Sequence, residues 1–305
     1  MKLEPSTSIP VDIARKQLLK KELVIFSMLA LIISWPLILI VAHNLTPNFP
    51  TGNRKAVEEL FGSLPLLYGT GPLISAVLVT LFYRGSAGVK ALFKRVVEWR
   101  VSFRWYIFAV ILPVVPQWIA LVIWGLLSNN EIQFPALSSF LFSWIQIALV
   151  SAVYYVTEEL GWRGFMLPRF LSIYTWVKAS LLTGIIWSVW HYPLWATSGW
   201  ATTGSLKETM LILGASTMFS IGLSILVTWM FINTKGSVLL AMLLHGSSQA
   251  NLTKMYTAAG DASLTAADFI LTQALFLGIT VGLFLLLINL QGKLAMITEE
   301  PLDPL

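Results

Sequence analysis

Residues 23–42 read LVIFSMLALIISWPLILIVA, twenty positions without one charged side chain. As a helix rising about 1.5 Å per residue, the run measures roughly 30 Å, the thickness of a bilayer's hydrocarbon core. It follows Arg15, Lys16, Lys20 and Lys21, as the apolar stretch of a signal peptide follows its basic head. The run is too long for a cleavable segment and more apolar runs come after it, so it reads as a retained spanning helix.

Composition extends that reading to the whole chain. Of 305 residues 56% are hydrophobic and 11% charged, against roughly 25% charged in soluble domains. So little charge cannot dress a water-facing surface. Thirteen Trp and seventeen Phe supply the aromatic bulk typical of membrane interfaces. The chain has no Cys, which excludes disulfides, thiolate metal sites and a cysteine nucleophile. The net charge of +5 is read as loop charge beside a membrane, not as a nucleic-acid surface.

The expected fold is therefore all-α: one polytopic bundle of about eight transmembrane helices. The spans are read at Leu23–Ala42, Leu64–Tyr83, Trp105–Leu127, Ala136–Val156, Ala179–Trp195, Met210–Ile232, Ser237–Thr257 and Phe269–Leu290. Residues 1–22 form an N-terminal segment, 23–290 the membrane domain and 291–305 a tail. Placing both termini in the cytoplasm puts sixteen of the twenty Lys and Arg on the cytoplasmic side, leaving Arg54, Lys55, Lys207 and Lys254 opposite. Pro36, Pro65, Pro72, Pro113, Pro116 and Pro193 fall in or beside spans, where neighbouring helices satisfy the backbone groups they free. No inverted repeat of the transporter kind is visible. The sequons at Asn44 and Asn251 carry no reading, and His43 is read as an interfacial histidine.

An ionisable group inside a span is costly and marks a functional candidate. Three places stand out. Glu158-Glu159-Leu160-Gly161-Trp162-Arg163 closes the fourth span. Glu159 and Arg163 are four apart and share a helix face, so they pair; Glu158 points about 100° away and is left for proton transfer or metal binding. His191 follows Trp187 by one turn in the fifth span, and His245 precedes Gln249 by one turn in the seventh. Asn251 lies well round the helix from that face. Two His and one Glu match a catalytic His₂Glu zinc set (Glu158, His191, His245) with an open position for water. They match equally a metal-free arrangement in which Glu and His activate water while polar groups meet an oxyanion.

Taken together, the three elements resemble the signature of the CAAX protease and bacteriocin-processing family of intramembrane proteases. Glu158-Glu159…Arg163 is similar to its Glu-Glu-x-x-x-Arg, with Gly164 following. Trp187…His191 resembles aromatic-x-x-x-His, with Trp where Phe is usual. His245…Gln249 resembles His-x-x-x-Asn, with Gln in place of Asn. The motif core spans 158–251, and the first 100 residues rest on topology alone.

The resemblance implies an endopeptidase whose site lies within the membrane, acting on a hydrophobic or lipidated peptide. It implies Glu158 as catalytic carboxylate, His191 as its partner, His245 and Gln249 on metal or oxyanion, and Glu159 and Arg163 as supports, with Trp187 against His191. Zinc is the expected cofactor, the lipid bilayer the expected surroundings and a bacterial plasma membrane the expected location. Two rival readings are a transporter or proton relay and a non-catalytic immunity or scaffold protein.

One tension is geometric. Glu158 stands near the cytoplasmic end of its span, whereas His191 is thirteen residues beyond Lys178, roughly 20 Å along a helix. They meet only if residues 164–178 lie partly in the interface, with Leu167–Val177 as the candidate segment, or if the fifth span begins later than Ala179.

Overall fold

Wherever the apolar runs are described, they are helix. A computed structural model of the chain describes residues 11–45, 69–134, 136–258 and 265–290, and these contain no strand. The side chains of His43, Asn44 and Lys254 lie outside that description, as do Arg54, Lys55, Pro65 and the tail 291–305.

The first helix, α1, runs Val11–Leu45, so residues 11–22 are helical and continuous with the apolar run. Helix α2 covers Thr70–Lys94 and is broken at Gly85, whose φ of +64° only glycine adopts without strain. The break falls just beyond Tyr83, where the second apolar run was expected to end. A 3₁₀ turn, Arg95–Val97, follows. The third run is two helices, α3 (Phe103–Ile111) and α4 (Val114–Ser128), separated at Leu112–Pro113 because proline cannot carry the hydrogen bond of a continuous helix.

Helix α5 is Leu137–Tyr154, and after Tyr155 comes a single turn, α6 (Val156–Glu159). A π-helical segment, Leu160–Met166, and a short helix α7, Leu167–Leu171, complete this stretch. Long helices then close the chain: α8 (Trp176–Thr203), α9 (Leu206–Asn233), α10 (Val238–Ala258) and α11 (Ala266–Leu290).

Five of these stretches are long and apolar enough to cross a membrane among the described residues: Ile13–Ile40, Thr70–Val97, Phe103–Ser128, Leu206–Asn233 and Ala266–Leu286. The protein is an all-α integral membrane protein. The other three expected spans are helical where they are described, and they carry Glu158, His191 and His245 or lead into them.

The packing places those three at the centre. Helix α9 lies along α8 and α11, α10 lies along α5, and α1 packs on α2 and α8. Small residues let backbones touch. A Cβ on Gly246 would come within 2.5 Å of the Ala148 carbonyl oxygen and 2.8 Å of the Ala152 nitrogen, so α10 rests directly on α5. A Cβ on Gly161 would come within 2.8 Å of Pro72 backbone, so the π segment rests on the start of α2. Close approach at small residues is how helices gain packing where lipid removes the hydrophobic drive.

Candidate active site

The site forms where α5 fails to continue. The α-helical ladder lapses at Tyr155, resumes for one turn and passes into the π segment. Single π turns insert a residue into a helix and recur at functional sites, because they turn side chains out of the regular register. Here Glu158, Glu159 and Arg163 are all buried, with Arg163 and Glu159 wholly inaccessible.

Glu159 and Arg163 pair as the four-residue spacing predicted, Arg163 Nη1 donating to Glu159 Oε1 at 2.6 Å. The same oxygen accepts from His245 Nδ1 at 2.8 Å, across 86 residues of sequence. One carboxylate therefore ties the first element to the third. The His245 ring lies flat on the Tyr155 ring, centroids 3.6 Å apart and planes 13° from parallel. Nothing in the sequence marks Tyr155, which has neither charge nor telling spacing; only the helix break brings it over the imidazole.

Glu158 is not left alone on its own side. Its Oε2 accepts a hydrogen bond from Trp187 Nε1 at 3.0 Å. Trp187 also meets the edge or face of both histidines, with centroids 5.5 Å from His191 and 5.1 Å from His245. The Arg163 guanidinium carbon sits 4.5 Å from the centre of its ring. The expected contact between Trp187 and His191 is present; the bond to Glu158 is what spacing could not reveal. His191 Nδ1–H donates to the Trp187 carbonyl at 3.0 Å, which assigns Nε2 as the acceptor nitrogen of the neutral ring.

Three polar atoms of this cluster, Glu159 Oε2, Arg163 Nε and Arg163 Nη2, are buried and make no hydrogen bond within the described protein. Buried polar groups are nearly always paired, so three together mark a place built for water or for a substrate's polar groups.

The fifth span does not begin late: α8 begins at Trp176, earlier than Ala179. Residues 160–170 are buried, whereas 171–178 are partly or fully exposed. Glu158 and His191 both reach Trp187.

The zinc set fares differently. Among the described residues, no three His, Asp or Glu side chains converge closely enough to hold a metal ion. His245 Nδ1 is bonded to Glu159 and Glu158 Oε2 to the indole, bonds that by themselves leave His245 Nε2 and Glu158 Oε1 as ligand atoms. As arranged, Glu158, His191 and His245 do not fit a three-ligand site.

Gln249 stands one turn beyond His245 on α10 and is half-buried. Asn251 is wholly buried and faces elsewhere. Its Nδ2 donates to Gln117 Oε1, its Oδ1 accepts from Trp118 Nε1 at 2.6 Å, and Gln117 Nε2 donates to Ser248 Oγ at 2.9 Å. This clasp joins α10 to α4. A second network is equally invisible in the sequence. Glu22 of α1, itself buried, accepts from Arg84 at 2.6 Å and from Arg169 at 2.7 Å. Its partners lie 62 and 147 residues away, beyond the reach of any periodicity.

Residues 139–250 match the Rce1-like family model, described as type II CAAX prenyl endopeptidase Rce1-like. This segment, which holds all three sequence elements, is similar to the type II CAAX prenyl endopeptidase family. A CAAX prenyl protease 2 from Methanococcus maripaludis is 31% identical over 119 residues, which is 39% of this chain and 44% of that relative. The match thus covers less than half of the relative's length. Glu158, Glu159, Arg163, Trp187, His191, His245 and Gln249 all lie within the family segment, whereas Asn251 falls one residue past its end.

Proposed function

We propose that this protein is an intramembrane endopeptidase that cleaves a hydrophobic or lipidated, membrane-associated peptide with water activated by Glu158. The observation that carries the reading is a buried carboxylate with one oxygen held by an indole, among two histidines and unpaired guanidinium donors. Peptide hydrolysis needs a base at the attacking water and donors where negative charge develops.

In this reading Glu158 Oε1 takes a proton from water as the oxygen adds to the scissile carbonyl carbon. The proton then passes to the leaving nitrogen as the C–N bond breaks. His191 accepts a hydrogen bond from the water through Nε2. The Gln249 carboxamide and the unpaired Arg163 N–H groups face the oxyanion, and Glu159 holds Arg163 and His245 in place. A low-dielectric setting strengthens each of these interactions. No step passes through a metal. A zinc-dependent variant of the reading is tested by metal analysis: the purified protein, stripped of metal, retains cleavage here and loses it reversibly in the variant.

The test compares wild type with Glu158→Gln in two assays. One uses a quenched farnesylated peptide in proteoliposomes, and the other reads the peptides of whole-cell membranes. Glu158→Gln should lower cleavage by about 10³-fold, within the range for a general base, while the protein stays folded. Cleavage at the wild-type rate would overturn the reading.

The proposed orientation, in a bacterial plasma membrane with both termini cytoplasmic, has its own check. Reporter fusions at Gly88 and at the C-terminus should both report cytoplasm, and opposite signals would overturn it.

A further inference from the structure

Trp187 is 1% exposed and occupies the middle of the site. Its Nε1–H meets Glu158 Oε2, its carbonyl accepts from His191 Nδ1–H, and its ring carries Arg163 at 4.5 Å. One residue thus holds both proposed proton-handling groups, one by its side chain and the other by its backbone.

The two oxygens of a carboxylate are equivalent until something distinguishes them. A donor fixed on Oε2 stops the group from rotating and makes that oxygen the poorer proton acceptor, so the incoming proton is directed to Oε1. The backbone bond does the same for the imidazole by fixing Nδ1 as the protonated nitrogen. The donor that orients Glu158 is thus the indole, a neutral group whose position is set by packing. A phenyl ring, which lacks the N–H, would fill part of that space and leave the carboxylate free to turn.

We infer that Trp187 is a positioning residue whose indole N–H selects the reacting oxygen of Glu158. This rests on the reading of Glu158 as the base. Trp187→Phe keeps an aromatic ring but removes the donor. On the farnesylated peptide it should lower kcat about tenfold, the worth of one charge-assisted hydrogen bond, with KM within about twofold. An unchanged kcat, or a loss confined to KM, would overturn the inference.

A second measurement does not depend on that variant folding. In the indole ¹⁵N–¹H spectrum of the full chain in detergent, Glu158→Gln replaces the charged acceptor with a neutral one. It should move one of the thirteen tryptophan signals upfield. No moved signal, with Glu158→Gln inactive, overturns this inference while the protease reading stands. A fully active Glu158→Gln overturns both.

Discussion

Helices α10 and α11 are neighbours in sequence and opposites in chemistry. On α11, Leu271, Val281, Leu285 and Leu286 face outward, and the helix qualifies as a span by apolarity alone. On α10, His245, Ser247, Ser248 and Asn251 are all buried, and each makes a polar contact: with Glu159, the Val110 carbonyl, Gln117, and the Gln117–Trp118 pair respectively. The outward face of α11 therefore has less to do than the buried face of α10. Lipid is as apolar as Leu, so outward faces need no particular residue, whereas buried polar groups must each find a partner. Hydropathy finds α11 and says nothing of the polar contacts that α10 makes.

Mutations test that contrast directly. The largest stability effect is expected at Arg163. Arg163→Ala strands Glu159, which is wholly buried, and removes the cation from the Trp187 face. Breaking a buried pair on one side costs about 3–5 kcal/mol, so the variant should melt well below wild type in detergent as well as lose activity. A melting temperature equal to wild type would mean that the Glu159–His245 bond alone holds the site.

Gln249 and Asn251 divide α10 itself. Gln249→Ala should lower turnover by about 10²–10³, the loss typical of one oxyanion donor, with little change in stability. Asn251→Ala should do the reverse. From sequence alone that substitution is expected to be nearly silent; the clasp on Gln117 and Trp118 changes the expectation to a stability loss of about 1–3 kcal/mol, because it leaves their buried polar atoms without their partner. Turnover and thermal melts of the two variants, measured side by side, separate the site from its scaffold. A catalytic loss at Asn251 with none at Gln249 would exchange their roles.

The smallest effect belongs to the outward face of α11. Leu285 is 55% exposed on α11, so Leu285→Ala should change stability by no more than about 0.5 kcal/mol. A larger loss would show that α11 packs against something on that face.

The fold class and part of the site are legible in the sequence alone. Low charge and long apolar runs determine a helical membrane protein, because a bilayer admits only helices and closed barrels, and barrel strands alternate apolar and polar residues. The Glu159–Arg163 pair follows from a four-residue spacing, and the contact of Trp187 with His191 follows from another. Local relations of this kind are carried by helix geometry and need no tertiary information.

What the tertiary structure alone decided is how those local units meet. The π segment after Glu159, the stacking of Tyr155 on His245 and the contact of Gly246 with α5 depend on where one helix lies against another. The bond from Trp187 to Glu158, the salt bridges of Glu22 and the clasp of Asn251 join residues 29 to 147 positions apart. No periodicity links such positions. Their partners are chosen by packing, since a polar group shut away from water takes whatever complementary group the bundle delivers to it.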